Sequence, residues 1–555
     1  MVDRSDNAAA DSTALPDTVV AFWRAALARH SKRTLVRYRG ISHSFAAIDA
    51  RARDLSAGLL AQGAGKGSRI ALLMPNGPDW IASWLAITRI GAIAIELSTF
   101  FAARELAYAL RHSDAATLLA APGYLRHDYC ARLEEALPSL ASAPRPLTLR
   151  ECPFLRSIWL TEPSTRSWSS GSLDDLASAG RASPFAEPDL FGAVEQEVHS
   201  SDLAVQIYTS GSTAMPKGVL HTHGTVAHKS TFSAMDNGIL PVGLGPEDRV
   251  IITSPFFWVG GFLQLTGAIH HGACVICHDE HSPTELIDVI RDEGATQITG
   301  TEGILRSLLA AAPDAPELIG TMRPQNVFQW PFFRTLRGEP AGCDAQSIGM
   351  TETFGGHTGL EHGAPLPTDK RGSNGQVLPF MELRIADPET GEVLPPGTPG
   401  ELQVRGRWLM AGMHKRERSE LLVADGFYPT GDRCVLDGEG YLFFISRIGN
   451  MIKTSDANVA PDEVEVAIRE HPEVLDVAVI GVPDPKLGQM VVAVVARRDG
   501  STLDDEALRA WLKPRLSSFK VPKRVYFRAF DEFPRTASDK IIRPALLDQL
   551  LALPS

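Results

Sequence analysis

The most informative segment of the chain is Tyr208-Thr209-Ser210-Gly211-Ser212-Thr213-Ala214-Met215-Pro216-Lys217-Gly218. It follows the apolar stretch Leu203 to Ile207, which predicts a short buried strand. Its Ser and Thr hydroxyls and backbone N–H groups suit phosphate oxygens, and Lys217 adds positive charge. The spacing of glycine, lysine and hydroxyl differs from that of a Walker A loop. Composition alone leaves a phosphate-binding turn and an ordinary polar loop as equal alternatives.

Length and charge limit the class of protein. A chain of 555 residues exceeds one compact core and indicates two or three folding units. Hydrophobic residues make up 44% and charged residues 22%, which is typical of a soluble globular protein. The formal net charge of -12 disfavours nucleic acid and anionic lipid as partners. These values favour a soluble enzyme.

The cysteines and the N-terminus favour a cytoplasmic protein. The first seven residues are polar and acidic, so no secretory signal is expected. Six cysteines are too few for a disulfide framework in a chain of this length. The segment Cys274-Val275-Ile276-Cys277-His278 could suggest haem attachment or zinc, but its apolar character favours a buried strand.

The uncharged stretch from Ile251 to Ile269 approaches the length of a membrane span. Ser254-Pro255 and Gly260-Gly261 interrupt it, and three large aromatic residues stand side by side within it. Such a segment more often lines an apolar pocket in a soluble fold. We therefore expect no transmembrane anchor.

Helices and short apolar strands alternate up to about residue 120, as in the helix Ile48 to Gln62 followed by the strand Arg69 to Met74. This alternation predicts an α/β fold with parallel strands flanked by helices. The Ser-, Ala- and Pro-rich tract from Thr161 to Ser201 predicts a long surface excursion. Alternation resumes from Leu203 to about residue 350, and Met381 to Val404 predicts a β-rich subdomain.

The last hundred or so residues predict a small separate α+β domain. Its expected elements are a helix over Pro461–Glu470, strands over Val474–Val482 and Met490–Ala496, a helix over Leu503–Leu516 and a strand near Val525–Phe530.

Four further motifs follow the first segment in order. They are Gly349-Met350-Thr351-Glu352, Tyr428-Pro429-Thr430-Gly431-Asp432-Arg433, Ser446-Arg447-Ile448-Gly449-Asn450-Met451-Ile452-Lys453 and Pro534-Arg535-Thr536-Ala537-Ser538-Asp539-Lys540-Ile541. Each is weak alone, but together the five resemble the adenylate-forming superfamily of acyl-CoA synthetases, luciferases and peptide-synthetase adenylation domains. The resemblance implies an N-terminal ATP- and acyl-binding domain over residues 1–446 and a mobile C-terminal domain over 447–555.

The resemblance also implies roles for individual residues. Thr351 would contact the α-phosphate, Glu352 would hold Mg²⁺, Lys540 would bridge substrate carboxylate and α-phosphate, and Lys453 would serve the second half-reaction. The full set implied to bind ATP is Thr209, Ser210, Gly211, Ser212, Thr213, Lys217, Gly349, Met350, Thr351, Asp432 and Arg447, with the last two on the ribose. Lys217, Thr351 and Glu352 would also be catalytic.

Several positions depart from the superfamily pattern. They are Ala214, Ile348, Gly449, Asp456 and Asp539, and Phe328 to Phe333 replaces an expected glycine-rich strand end. These departures keep two alternatives open: an acyl-AMP ligase that loads a carrier protein, and a degenerate nucleotide-binding member of the superfamily. Survival of the chemically necessary side chains favours an enzyme.

The stretch Pro255 to Phe262 resembles the superfamily's aromatic motif. It implies substrate binding by Phe257, Trp258, Gly260 and Gly261, and an apolar aromatic wall suits a hydrophobic acid. The sequence therefore predicts an AMP-forming CoA ligase for a fatty acid or another hydrophobic carboxylic acid, with ATP, Mg²⁺ and coenzyme A as cofactors. Neither the acid's chain length nor the oligomeric state follows from these residues.

Overall fold

The structure is a computed structural model of the chain. It describes residues 15–101, 103–209, 216–235, 244–279, 282–300, 302–324, 329–339, 347–360, 366–448, 452–454, 457–459, 461–513, 515–516, 520–536 and 540–552.

The described helices are α1 Val19–His30, α2 Phe45–Ala61, α3 Pro78–Arg89, α4 Ala103–His112, α5 Tyr129–Ala136, α6 Leu173–Arg181, α7 Pro188–Gln196, α8 His223–Ala234, α9 Val259–His271, α10 Pro283–Glu293, α11 Glu302–Leu309, α12 Ala315–Thr321, α13 Trp330–Arg337, α14 Pro461–Arg469, α15 Asp505–Leu512 and α16 Arg543–Leu551. The described strands are β1 Thr34–Tyr38, β2 Ile41–Ser44, β3 Arg69–Leu73, β4 Ile93–Glu96, β5 Thr117–Ala120, β6 Gly123–Tyr124, β7 His127–Asp128, β8 Ser157–Leu160, β9 Gly171–Ser172, β10 Leu203–Thr209, β11 Lys217–Thr222, β12 Arg249–Ile251, β13 Cys274–Cys277, β14 Gln297–Ile298, β15 Gly349–Met350, β16 Gly355–Gly356, β17 Thr358–Gly359, β18 Gln376–Val377, β19 Met381–Ala386, β20 Gly400–Gly406, β21 Gly412–Met413, β22 Tyr428–Leu436, β23 Leu442–Arg447, β24 Ile452–Thr454, β25 Ala457–Val459, β26 Val474–Asp484, β27 Gly488–Arg497 and β28 Arg524–Arg528.

The chain divides into two compact units. The first unit comprises residues 1–382 and 405–428, and the second comprises 383–404 and 429–555. This division groups 383–404 and 429–446 with the C-terminal residues, whereas the sequence placed a boundary at 446/447. The predicted boundary at 446/447 marks the point about which the C-terminal domain would pivot. The pivot residue, Gly449, lies outside the described residues. The boundary stays a prediction.

Two sheets build the first unit. The larger has the strand order β21-β11-β10-β4-β3-β5-β8-β9 and is parallel from β10 to β9, with β11 and β21 added antiparallel at one edge. The smaller has the order β14-β12-β13-β1-β2 and is parallel except for β2. The predicted α/β architecture is confirmed.

Alternation along β3 shows why the large sheet is buried on both faces. Ile70 and Leu72 enter one core cluster, and Ala71 and Leu73 enter another on the opposite face. Successive side chains of a strand point to opposite faces, so a strand covered on both sides is apolar throughout. The helix α9 contributes Phe262 to the first cluster.

The predicted surface excursion from Thr161 to Ser201 is wrong, because this tract contains α6 and α7. Helix α6 begins with a capping box between Ser172 and Asp175. It lies so close to α2 that a Cβ on Gly180 would stand 2.2 Å from the Asp54 carbonyl oxygen. The small residues that permit this packing give the tract a loop-like composition.

Two segments that suggested other functions lie in regular secondary structure of the first unit. Cys274 and Cys277 lie in β13 and are buried, as predicted. Within the described residues, no cluster of three or more His, Cys, Asp or Glu side chains could hold a metal ion. The apolar stretch from Ile251 spans the end of β12 and most of α9. Among the described helices, none has both the length and the apolar character to cross a membrane.

The second unit has a sheet with the order β25-β24-β27-β26 and β28 paired to β27. Along β27, Val491, Ala493 and Val495 face the cluster with α14 and α15, while Val492 and Val494 face the cluster with α16. The elements agree with the predicted α+β domain. A four-stranded sheet, β19-β20-β22-β23, confirms the predicted β-rich region.

Candidate active site

The two ends of the predicted phosphate-binding segment lie on paired strands. Strands β10 and β11 are antiparallel, and Thr209 is the Cα partner of Lys217. A Cβ on Gly218 would lie 2.3 Å from Nε2 of Gln206, so any larger residue there would require the Gln206 side chain to move. The intervening residues Ser210, Gly211, Ser212, Thr213 and Ala214 lie outside the described residues. The structure therefore shows the mouth of the segment, with Thr209 and Lys217 opposite each other.

The second motif forms a tight turn, which we call the Thr351 turn (residues 349–356). Gly349 and Met350 pair antiparallel with Gly356 and Gly355. A Cβ on Gly349 would lie 2.5 Å from the Gly355 carbonyl oxygen, so the two strands touch at the backbone. Thr351 and Glu352 occupy the connection between these strands.

Hydrogen bonds from distant parts of the first unit fix this turn. Nε2 of His221 donates to the Thr351 carbonyl at 2.7 Å, and the Met410 N–H donates to the Glu352 carbonyl at 2.7 Å. Burial lowers the pKa of His221 to about 4. Because a carbonyl only accepts, the neutral ring carries its proton on Nε2.

The same strand links both phosphate-binding candidates. Lys217 begins β11 and His221 lies four residues further along it, a span of about 13 Å. The structure thus ties the mouth of the phosphate-binding segment to the Thr351 turn through β11. His221 carried no motif in the sequence, because its partner lies 130 residues away.

The surroundings of the Glu352 side chain suit a Mg²⁺ ligand. It is half-buried, and the Tyr428 hydroxyl lies 3.5 Å from its Oε1. A carboxylate oxygen beside phosphate oxygens is the donor set that Mg²⁺ prefers. The residues present fit this ion.

The predicted acyl wall is an aromatic group formed by Phe100, Phe257 and Trp258, which we call the aromatic trio. Their ring centroids lie 5.8 to 5.9 Å apart. Asn76 fixes the segment: its Nδ2 donates to the Ser254 carbonyl at 2.9 Å, and its Oδ1 accepts from the Phe256 N–H at 2.8 Å. Phe100 and Asn76 were not identified from the sequence.

The two predicted glycines beside the aromatic trio differ in their surroundings. A Cβ on Gly261 would lie 2.1 Å from the Pro255 carbonyl oxygen, so Gly261 permits α9 to approach that backbone. A Cβ on Gly260 would meet nothing within 4 Å, so this position faces open space. Gly260 therefore leaves room next to Trp258.

The second unit carries the remaining candidates. Asp432 on β22 and Arg447 on β23 are antiparallel Cα partners, so the two predicted ribose ligands start from adjacent backbone positions. Asp432 is buried. Lys453 lies on β24 opposite Asn458. Gly449 and Asp456 lie outside the described residues.

Lys540 lies in a short antiparallel pairing of residues 534–536 with 540–542, which we call the Lys540 hairpin. The Thr536 N–H donates to the Lys540 carbonyl at 2.8 Å, and the Ile542 N–H donates to the Pro534 carbonyl at 2.7 Å. Lys540 is exposed. Asp539 lies outside the described residues.

Comparison with known proteins identifies the family. The family model for AMP-binding enzymes matches residues 22–414, and the model for their C-terminal domain matches residues 463–540. The chain belongs to the AMP-binding enzyme family. This confirms the resemblance to adenylate-forming enzymes.

The relatives of this family member include CoA ligases. A feruloyl-CoA synthase from Amycolatopsis sp is 30% identical over 534 residues, which cover 94% of this chain and 96% of the relative. A 2-succinylbenzoate–CoA ligase from Bacillus velezensis is 29% identical and covers 87% of this chain and 88% of its own. ATP-bound MatB from Rhodopseudomonas palustris has the same fold, with a TM-score of 0.75, 24% identity and coverage of 96% of this chain and 99% of its own.

These matches establish the reaction of this AMP-binding enzyme. It is an ATP-dependent acyl-CoA synthetase of the AMP-forming type that works through an acyl-adenylate. Its cofactors are ATP, Mg²⁺ and coenzyme A. The acid that it activates is a separate question.

Proposed function

We propose that the acid activated by this enzyme is aromatic. The observation that supports this choice is the aromatic trio, held in place by Asn76 beside the open position at Gly260. Flat rings stack edge-to-face against such walls, which gives aromatic pairs about 0.5–1.5 kcal/mol beyond burial alone. The relatives named for feruloyl and succinylbenzoyl thioesters favour the same class.

The first unit, in this proposal, binds the triphosphate and the acid. The hydroxyls and N–H groups of residues 209–213 and the charge of Lys217 bind phosphate oxygens. The Thr351 hydroxyl donates a hydrogen bond to the α-phosphate, and Gly349 and Met350 shape the turn. Glu352 holds Mg²⁺, which when bound offsets the negative charge of the departing pyrophosphate.

The second unit supplies groups for the nucleoside and for each half-reaction. Asp432 accepts hydrogen bonds from the ribose hydroxyls, and Arg447 donates to the same sugar. Lys540 stabilises the charge that develops as a carboxylate oxygen bonds to the α-phosphorus and pyrophosphate leaves. Lys453 serves the second step, in which the CoA thiolate bonds to the acyl carbon and AMP leaves. We propose a pivot near Gly449 that exchanges the two lysines.

We also propose a cytoplasmic location. The cysteines in the described part of the chain, at positions 130, 152, 274, 277 and 434, are buried and lie outside any disulfide. Free thiols are typical of a reducing compartment.

Acid-dependent ATP–pyrophosphate exchange tests the substrate class. The panel contains benzoate, cinnamate and ferulate, with octanoate, dodecanoate and phenylalanine as comparisons. We expect kcat/KM for the best aromatic acid to exceed that for the best fatty acid by about tenfold or more. A preference for octanoate or dodecanoate would contradict the proposal.

Addition of the thiol acceptor then completes the assay. We expect CoA to convert the adenylate to a thioester that is separated by chromatography. Transfer to an acyl carrier protein but not to CoA would contradict CoA as acceptor and favour the carrier-loading alternative.

A further inference from the structure

Helix α8 carries a buried lysine that the reaction described above does not use. All twelve residues of α8 are buried, and Lys229 at its centre is only 2% exposed. Lysine is seldom fully buried unless its charge is paired. The position therefore requires a physical explanation.

The surroundings of Lys229 supply hydrogen bonding but no counter-charge. Its Nζ donates to the Gly356 carbonyl at 2.5 Å and lies 3.6 Å from the centroid of the Trp408 ring. Among the residues that the structure describes, no carboxylate forms an ion pair with it. Burial lowers the pKa of Lys229 to about 7. An amine without an anion in such a setting costs the folded state stability.

Lys229 contacts the Thr351 turn at Gly356. Gly356, which accepts its hydrogen bond, pairs with Gly349, and Gly349 precedes Thr351 by two residues. Two residues of extended chain span about 7 Å. The Lys229 ammonium therefore contacts this turn about 7 Å along the chain from Thr351.

The acyl wall approaches the same point. A Cβ on Gly355 would lie 2.5 Å from Cδ1 of Leu263 and 3.9 Å from Cε of Lys229. Leu263 belongs to α9, whose first turn carries the open position Gly260 next to Trp258. The buried amine thus lies where the reactive turn and the acyl-binding helix meet.

We propose that Lys229 determines specificity by binding an acidic oxygen, either a phenol or a second carboxylate, on the acyl substrate at the end remote from the activated carboxylate. This inference rests on the proposed aromatic substrate and narrows it to aryl acids with a distal acidic oxygen. Such a group supplies the counter-charge that the protein lacks, in a charge-assisted hydrogen bond. A site built for this bond rejects analogues that leave the amine unpaired.

The test uses benzoates and cinnamates that carry hydroxyl, carboxylate or methyl at the para position. We expect wild-type kcat/KM in pyrophosphate exchange to favour a hydroxyl or carboxylate acid over its methyl analogue by about tenfold or more. In Lys229→Met this ratio falls to about one. Lys229→Arg retains part of the preference because it keeps a cation.

Thermal unfolding distinguishes a substrate-binding role of Lys229 from a role in stabilising the fold. Lys229→Met should raise the Tm, because methionine fills the same volume without a buried charge. Lys32→Met, at an exposed lysine of the same unit, should change neither Tm nor the substrate ratio. A lowered Tm with an unchanged substrate ratio would make Lys229 a structural brace and overturn the inference. Failure of the wild type to exchange with any aryl acid would instead overturn the proposed function on which it rests.

Discussion

The Thr351 turn is held by hydrogen bonds from several other elements of its unit, whereas the Lys540 hairpin carries an exposed lysine, is closed by its own backbone hydrogen bonds and is anchored by Arg535. His221 and Met410, on other elements of the first unit, donate hydrogen bonds to the Thr351 turn. The Lys540 hairpin is closed by two backbone hydrogen bonds, one between Thr536 and Lys540 and one between Ile542 and Pro534. A group that must hold phosphate in one geometry gains from rigid support, because catalysis depends on preorganised donors. In the proposed mechanism Lys540 acts in only one of the two half-reactions, so a loosely anchored position would let it leave between them.

The largest expected effect on stability concerns the histidines buried in the first unit. Burial lowers the pKa of His221 and His223 to about 4 and that of His357 to about 3. Below the ordinary value of 6.5 the unfolded chain binds protons that the folded chain excludes, so stability falls as pH falls. We expect a loss of about 2 kcal/mol per histidine between pH 7 and pH 5.

Urea unfolding at pH 7, 6 and 5, followed by tryptophan fluorescence, measures this loss. Only Trp511 among the nine tryptophans lies in the second unit, so the signal mainly reports the first. His357→Gln should reduce the pH dependence, and His127→Gln, at an exposed position, should not. Equal stability at pH 7 and pH 5 would contradict this account of the buried histidines.

The next effect tests how tightly the Thr351 turn is packed. Gly355→Ala places a Cβ 2.5 Å from Cδ1 of Leu263 at a residue whose φ is +109°. Backbone strain and the clash together should lower the free energy of unfolding by about 3 kcal/mol. Gly40→Ala is the matched control, because Gly40 has φ +76° but open space around its Cβ. It should cost about 1 kcal/mol, and equal costs for the two variants would show that the turn is not tightly packed.

The smallest effect belongs to the Lys540 hairpin. Nη2 of Arg535 lies 2.5 Å from Oδ2 of Asp476, and its guanidinium carbon lies 4.3 Å from the centroid of the Phe530 ring. Arg535→Met keeps the packing volume, and Arg469 stays 3.8 Å from the Asp476 carboxylate, so the substitution should cost about 1 kcal/mol. Arg498→Met, at an exposed arginine of the same unit, should cost nothing measurable in urea unfolding. A loss of several kcal/mol in Arg535→Met would mean that this hairpin is as firmly built as the turn.

Local patterns predicted most of the fold. Strands such as β10 and β13 are short apolar runs, and burial on both faces produces that pattern directly. The helix α6 was missed because it packs through glycine and alanine, which resemble loop residues in composition. The burial of helix α8 could not be predicted from its composition, because its twelve buried residues include Lys229 and many small polar residues.

The candidate site likewise contains residues that local motifs predicted and residues that they did not. Motif residues such as Asp432 and Arg447 were predicted one by one, and the structure adds that they are neighbours across a strand pair. His221, Asn76 and Lys229 escaped notice because their partners are distant in sequence: the bond from Asn76 to the Ser254 carbonyl spans 178 residues. No local periodicity encodes such a contact.

Half-reaction analysis of Lys540→Ala tests the central claim most directly. The variant should lose acid-dependent ATP–pyrophosphate exchange by about 10²- to 10³-fold, because one preorganised charge is removed from the transition state. Its Tm should match the wild type, because Lys540 is exposed. When supplied with a synthetic acyl-adenylate and CoA, it should form the thioester at close to the wild-type rate. Pyrophosphate exchange at the wild-type rate would contradict the assignment of Lys540.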